Sequence, residues 1–298
     1  MELGIIQFIQ KLGSDFFDMF FCGISTLGEL AVFIALIPIV YWCIDKYLGE
    51  ELMGSVFSGS FVNSVFKGSF SRIRPIASHG DELRRVKYEY FYTSQLHDGV
   101  YWPESFPSGH SQAAASFCSA VAYRKGIRKY WGFFLIPVFV GLSRIYIGMH
   151  WPTDVLVALA EGFLISAAVH FCMKKNKRGT LIFLPIVATL VLVPCLFFVD
   201  KDQIMNMLML LGLMWGGCFG VLFENSNIDF STHGIKLWMR IVRVPVGLVA
   251  VVLCAAVPFL PLWILGIEMK IIIIPVCLFA SFGMTTAAPM AFRIFRLE

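Results

Sequence analysis

The stretch Ser143-Arg144-Ile145-Tyr146-Ile147-Gly148-Met149-His150-Trp151-Pro152-Thr153-Asp154 sets an Arg, a His and an Asp between two long apolar segments. Burying such groups at or near a bilayer costs on the order of several kcal/mol each unless they are paired or wetted. The trio therefore marks a functional site, and the flanking segments mark a helical membrane protein.

Composition agrees. Of 298 residues, 58% are hydrophobic and 15% charged, with a mean hydropathy of +0.75, against about 45–50% apolar in a typical soluble domain. The net charge of +4 is too small to suggest nucleic acid, and the basic residues fall in short clusters between apolar runs. The eight cysteines are scattered singly, without CxxC or Cys/His metal spacing, and read as free thiols. Met1 to Ser14 lacks a signal-peptide pattern. It reads as an amphipathic interfacial helix, with Ile5, Phe8, Ile9 and Leu12 on one side.

A spanning helix needs roughly 20 apolar residues. Candidate spans are 25–44, 52–66, 109–123, 130–148, 153–172, 180–199, 204–223, 244–264 and 271–291. The expected fold is an all-α polytopic bundle of about nine transmembrane helices (eight to ten) plus the N-terminal interfacial helix. Residues 16–24 are left open as a further shallow segment. Basic clusters at 124–129 and 174–178, with Lys236, Arg240, Arg243, Arg293 and Arg296, fall on one side of this topology. By the positive-inside rule that side is cytoplasmic, together with the C-terminus, and the opening stretch faces away. The connection 71–106 is then extracytoplasmic yet carries Arg72, Arg74, Arg84, Arg85 and Lys87 with Asp81, Glu82 and Glu89. Excess positive charge there asks for a cause such as anion binding, and so long a loop is more often functional than idle.

Three patches share that face. Lys67 and Arg74-Pro75 are seven residues apart, one stripe of a continuous helix. Pro107-Ser108-Gly109-His110 suits a helix start whose free N–H groups and dipole attract an anion. Arg144, His150 and Asp154 complete the set. Lys67, Arg74 and Arg144 form a phosphate cradle, with guanidinium forks suited to phosphate oxygens. With two histidines present, one attacks and the other protonates the leaving oxygen. Asp154, four residues after His150, can hold its second ring nitrogen and fix the tautomer, which makes His150 the nucleophile and His110 the general acid. No carboxylate or His/Cys set suited to Mg²⁺ or Zn²⁺ accompanies them, so no metal or other cofactor is expected.

Lys67-x6-Arg74-Pro75, Pro107-Ser108-Gly109-His110 and Ser143-Arg144-x5-His150-x3-Asp154 together resemble the tripartite signature of the type 2 phosphatidic acid phosphatase superfamily, which includes vanadium haloperoxidases and glucose-6-phosphatase. The resemblance covers residues 25–172 and fills every signature position. It implies a helical bundle, an extracytoplasmic site near the lipid surface and a phosphohistidine on His150. It further implies phosphate binding by Lys67, Arg74, Ser108, Gly109 and Arg144, proton donation by His110 and orientation of His150 by Asp154. A bacterial plasma-membrane member with extra C-terminal helices is expected. Its phosphatase core would span 1–178, including an interfacial segment 1–22, and helices of open role would span 179–298, as a homodimer interface, a lipid-entry wall or a second module.

Several other groups read more simply. Glu161 shares Asp154's face and is expected to be a buried structural partner. Arg72 would point about 160° away from Arg74 on a helix. His79 and His97 are expected in solvent, His170 and His233 toward the cytoplasmic side, and Met205, Met207, Met209 and Met214 in membrane packing. The leading function is hydrolysis of a lipid phosphomonoester or diphosphate, of the undecaprenyl diphosphate, phosphatidate or phosphatidylglycerophosphate type. Phosphoryl transfer to an acceptor lipid or sugar keeps the same intermediate. A lipid transporter is the alternative of another class, disfavoured because charge gathers at one surface and no internal repeat is visible.

Overall fold

The computed structural model describes residues 1–87, 96–97, 100–101 and 104–297. Part of the 71–106 connection, Glu89 included, lies outside the described residues. The chain is helical, with one small antiparallel pair, β1 (Leu96–His97) and β2 (Val100–Tyr101). Helices α1 (Glu2–Gln10), α2 (Asp15–Thr26) and α3 (Leu30–Ile39, wound on through a π turn to Ile44) precede α4 (Lys46–Ser69). Then come α5 (Gly109–Lys125), α6 (Leu135–Tyr146), α7 (Pro152–Cys195), α8 (Lys201–Asn227), α9 (Leu237–Ile264) and α10 (Met269–Phe282). A second π turn, Gly283–Ala287, leads from α10 into α11 (Ala288–Ile294).

Among the described residues four segments are long and apolar enough to cross a membrane: Pro152–Cys195, Lys201–Asn227, Leu237–Ile264 and Met269–Ile294. Asp15–Thr26 and Leu30–Ile44, bent 55° from each other, qualify together as one broken span. Helices α4 and α5 are not among them, for a physical reason. They sit inside the bundle, where α4 buries Ser55, Ser60, Asn63 and Ser64 and α5 buries Ser111, Gln112, Ser116 and Ser119. A helix shielded by its neighbours can keep polar groups that hydrogen-bond each other, as Gln112 does to Ser116 (2.9 Å) and Ser166 to the Ser116 carbonyl (3.2 Å).

Helix α7 has 44 residues, but its backbone breaks at Asn176 (φ −152°, ψ 86°). The Asn176 side chain accepts the Gly179 N–H (2.9 Å), a cap that starts the second half. The halves run back to back. Ile165 and Val187, one from each, line a common cavity; Asp154 at the first end bonds Ser105, and Gln203, in the helix that follows the second end, bonds Glu104 of the same loop. The polar run Lys174 to Arg178 thus sits at a hairpin tip, where the sequence placed a loop.

The N-terminal helix is more than a lipid float. Its buried face is Ile6 and Gln10, while Ile5, Phe8 and Leu12 point outward. Gln10 donates to the Tyr146 carbonyl (2.8 Å) and accepts from the Arg84 N–H (2.9 Å), which fastens α1 to the loops around the polar end of the bundle.

Helix α8 packs on α10 and α4 through glycines. A Cβ at Gly212 would lie 2.9 Å from the Ile274 carbonyl oxygen, at Gly216 2.0 Å from that of Leu278, and at Gly220 1.9 Å from the Thr285 hydroxyl. Small residues every four positions let helix backbones approach closely in a membrane. Gly216→Ala should therefore lower the thermal unfolding midpoint in detergent, at a cost of about 1–3 kcal/mol typical of overpacking. Gly23→Ala, where nothing lies within 4 Å, should leave it unchanged, and equal midpoints for the two variants would refute the contact.

Candidate active site

Each signature segment reaches the site from a different support. Lys67 lies in the last turn of α4, which stops at Ser69. Arg74 stands beyond it in extended backbone, before the single helical turn Pro75–Ser78. The two are not on one helical stripe, as their spacing had suggested, yet they converge: Lys67 Nζ (2.9 Å) and Arg74 (3.4 Å) both donate to the Glu104 carbonyl. Ser108 is the residue before α5, but its hydroxyl does not cap the helix and meets that of Ser111 (3.0 Å). Gly109 opens on the cavity, since a Cβ there would come no nearer than 3.6 Å to any neighbour.

Backbone hydrogen bonds lace the segments together. Ile76 N–H donates to the Gly148 carbonyl (3.0 Å), Ser105 N–H to that of Arg72 (2.8 Å) and Ser108 N–H to that of Asp154 (3.2 Å). These bonds hold the three loops in one register independently of the side chains that do chemistry.

His150 is 2% exposed. Its Nδ1 lies 2.7 Å from the Ser105 carbonyl, which can only accept, so Nδ1 carries the proton. Nε2 is then an acceptor, and Arg74 donates to it at 3.3 Å. Arg74 is also anchored by the Met149 carbonyl (3.1 Å). Burial, and then the nearby Arg74, Arg144 and Lys67, push the His150 imidazole well below its ordinary pKa, so the ring is neutral.

Asp154 is placed differently from the expected direct partner of His150. Its Oδ2 is 3.7 Å from Nδ1 and accepts instead from the Ser105 hydroxyl (2.5 Å) and the Trp151 N–H (2.9 Å). Its Oδ1 accepts from Arg72 (2.6 Å). Arg72 in turn lies over the Trp151 ring and binds Glu2 (2.5 Å), which holds Thr153 as well. The helical-wheel argument that turned Arg72 away from the site fails because no helix runs through 72–74. Arg144, 2% exposed, donates to the Ser25 hydroxyl (2.8 Å).

Lys67, Arg74, Gly109, His110, Arg144 and His150 all line one cavity of about 890 Å³. Ser108 and Asp154 sit just behind that wall, both fully buried. The arrangement offers an unprotonated imidazole nitrogen facing three cations, with a second imidazole on the same wall, which suits attack on an anionic, electrophilic centre. Among the described residues no group of His, Cys, Asp and Glu could hold a metal ion. Residues that sequence reasoning missed are Ser105, Ser25, Glu2, Glu104 and Gln203. Of these only Ser105, three residues before Ser108, carried any positional signal. Glu161, in contrast, is the buried partner expected, accepting from Asn63 (3.4 Å), and His170 pairs with Glu51 (2.9 Å) at the far end of α4.

Burial, and then Asp200, raise the Glu104 carboxyl from 4.5 to about 7. A carboxyl raised by folding favours the fold while protonated. That contribution is complete below the ordinary carboxylate range and is lost as pH climbs through about 7. Glu104→Gln should flatten this decline in a thermal midpoint followed against pH, whereas an unchanged slope would assign it to another group.

Residues 51–178 match the PAP2 superfamily. The chain is 30% identical to phosphatidylglycerophosphatase B of Bacillus subtilis over 172 residues, which cover 52% of this chain and 75% of the relative. It is 32% identical over 130 residues to a lipid A 4'-phosphatase of Porphyromonas gingivalis, covering 43% of this chain and 50% of that one. With a lipid A 1-phosphatase of Rhizobium etli the identity is 33% over 122 residues, 39% of this chain and 47% of the relative. Among solved structures, Aquifex aeolicus LpxE aligns at 23% identity with a TM-score of 0.46, over 56% of this chain and 93% of that one. The chain is a helical membrane protein that belongs to the PAP2 superfamily.

Proposed function

We propose that this chain hydrolyses a phosphate ester or diphosphate of a membrane lipid through a phosphohistidine on His150. The observation that carries this reading is the hydrogen-bond state of His150. Its Nδ1 proton is engaged by Ser105 while Nε2 faces Arg74, in a cavity also lined by Lys67, Arg144 and His110. The named relatives act on lipid phosphates, and the apolar helices around the site favour an amphiphilic substrate over a soluble one.

In the first step the Nε2 lone pair forms an N–P bond as the P–O bond to the lipid breaks. The leaving oxygen takes a proton from His110, whose protonated form the incoming phosphate dianion stabilises. Lys67, Arg74 and Arg144, with the backbone N–H groups at Gly109 and the start of α5, meet the non-bridging oxygens. In the second step His110 accepts a proton from water, the water oxygen bonds to phosphorus, and the N–P bond breaks to restore His150 and release inorganic phosphate. Ser105 holds the tautomer directly. Asp154 acts through Ser105 and through the Trp151 N–H that fixes the loop.

We also propose nine crossings, with the site at the extracytoplasmic face and the C-terminus in the cytoplasm. Contacts support this path. Helix α3 ends beside α9 at Cys43 and Arg240, α5 runs from the site to the Lys125–Asp45 pair, and α6 returns to His150. The hairpin α7 descends to Lys177 and comes back, α8 descends to Glu224 beside Lys46, and α10 starts at Lys270 near Asp202 and ends near Trp42. The basic clusters 124–129 and 174–178 lie at the end away from the site, as the positive-inside rule requires of a cytoplasmic face.

With ³²P-labelled phosphatidate, wild-type protein should release inorganic phosphate, and His150→Ala should reduce release to background. With p-nitrophenyl phosphate, whose leaving group needs no acid, His110→Ala should accumulate an acid-labile, base-stable phosphoprotein that His150→Ala lacks. Label found in a second lipid instead of free phosphate would establish transfer over hydrolysis. Phosphate release persisting in His150→Ala would sink the mechanism.

A further inference from the structure

The site cavity extends beyond the residues that touch phosphate in the proposed reaction. Its far wall is built by α8 and α10, which lie outside the 51–178 region matched to the superfamily. Met205, Met209 and Leu213 recur every four residues and so form one stripe of α8 along the cavity. Ile273 of α10 and Leu30 and Ile34 of α3 add to the apolar lining. The other side of α8 is packed, with Met207 and Met214 fully buried in the core, so the cavity meets the side of α8 that carries the stripe, with Asn206 and Leu210 beside it. The opposite wall, from α4 and α5, carries Ser60, Asn63 and Gln112. Apolar contact is therefore confined mainly to the side that the C-terminal helices supply.

We infer that α8 and α10 form a hydrocarbon-chain subsite for the tail of the lipid whose phosphate sits among Lys67, Arg74 and Arg144, which gives the C-terminal helices a role in substrate binding. This rests on the lipid-phosphate reading above. Three observations select a lipid tail as the occupant. The cavity is continuous from His150 to Leu213, so a molecule bound at its polar end must send its other end along this stripe. From Asp202 to Leu213 the wall rises roughly 17 Å at 1.5 Å a residue, about half of a ~30 Å hydrocarbon core and so one leaflet deep. Met205 and Met209 are unbranched and polarizable, and such side chains repack around flexible chains of varied shape. The wall is also tied to the cradle: Gln203 of α8 donates to the Glu104 carboxylate, while the Glu104 carbonyl accepts from Lys67 and Arg74. Tail and phosphate are thereby gripped by one connected frame.

Two experiments on the full-length protein test this. In the first, kcat/KM is measured for long-chain and short-chain phosphatidates. Met209→Trp and, separately, Leu213→Trp fill the stripe, and the long-to-short ratio should fall at least roughly tenfold, as expected when a pocket loses room for apolar groups. An unchanged ratio in both variants overturns the inference. In the second, long-chain phosphatidate bearing a terminal diazirine is photolysed with His150→Ala protein, so that binding is read without turnover. Label in peptides of α8 or α10 supports the subsite, and label confined to other helices overturns it. Label on α8 with no phosphate release by wild type refutes the phosphatase reading and leaves the subsite standing. Release by wild type with an unchanged ratio and label elsewhere refutes the subsite alone.

Discussion

A charge left alone inside an apolar bundle is too costly to persist, and helix α4 carries charge at both of its ends. From Lys46 to Lys67 it rises roughly 32 Å, close to the thickness of a hydrocarbon core. At the lower end Glu50 and Glu51 are almost wholly buried, and each is answered from another helix: Glu50 by Lys177 of α7, Glu51 by Arg124 of α5 and His170 of α7. Asp45 meets Lys125, and Lys46 meets Glu224 of α8. The Lys46–Glu224 pair is buried on both sides, and removing one member of such a pair costs about 3–5 kcal/mol, whereas apolar packing is non-directional and resists sliding poorly. The ion pairs thus set the height of α5, α7 and α8 along α4. Arg243 extends the same belt, donating to the carbonyls of Trp42, Ser231 and Leu297 and so fastening the chain's end.

That axial register is what lets the upper end work. Lys67 is in α4, His110 in α5, Arg144 in α6 and Asp154 in α7, so a slip of one helical turn, about 5.4 Å, would take any of them out of reach of the others. The backbone bonds among the 72–76, 105–108 and 148–154 segments then fix the final geometry. Coarse alignment comes from charge at one end of the bundle, and fine alignment from hydrogen bonds at the other.

Much of this was legible in the sequence wherever chemistry demands a residue type. Lys, Arg and His at three separated motifs pointed to one anionic site, and the structure does bring Lys67, Arg74, His110, Arg144 and His150 to one cavity. What stayed hidden were relations that depend on where a helix stops. The spacing of Lys67 and Arg74 looked helical, yet α4 ends between them. Ser105 holds His150 through its carbonyl, which every residue has, and Asp154 through its hydroxyl, so its place three residues before Ser108 was the one hint. The spans 52–66 and 109–123 are legible in the sequence, and α4 extends further at both ends, Lys46 to Ser69, because a central helix keeps polar groups among its neighbours. The methionines of α8 looked alike in sequence, but Met207 and Met214 are core while Met205 and Met209 line the cavity, a difference set by which faces α4 and α10 cover.

The position of Asp154 bears on the charge of the site. A carboxylate bonded directly to His150 would lay negative charge beside the phosphate's landing place. Instead a neutral carbonyl holds Nδ1, and Asp154 is neutralised by Arg72 at 2.6 Å on its far side. Arg72 is itself shared with Glu2 of α1, so the N-terminal helix takes part in the same balance. Lys67, Arg74 and Arg144 gather positive charge on the wall of one cavity. In the proposed reaction this favours a dianionic phosphate in the ground state and opposes a cationic His150, keeping Nε2 free to attack. Asp154 serves as a scaffold for Ser105 and the Trp151 loop, while Arg72 holds its far oxygen.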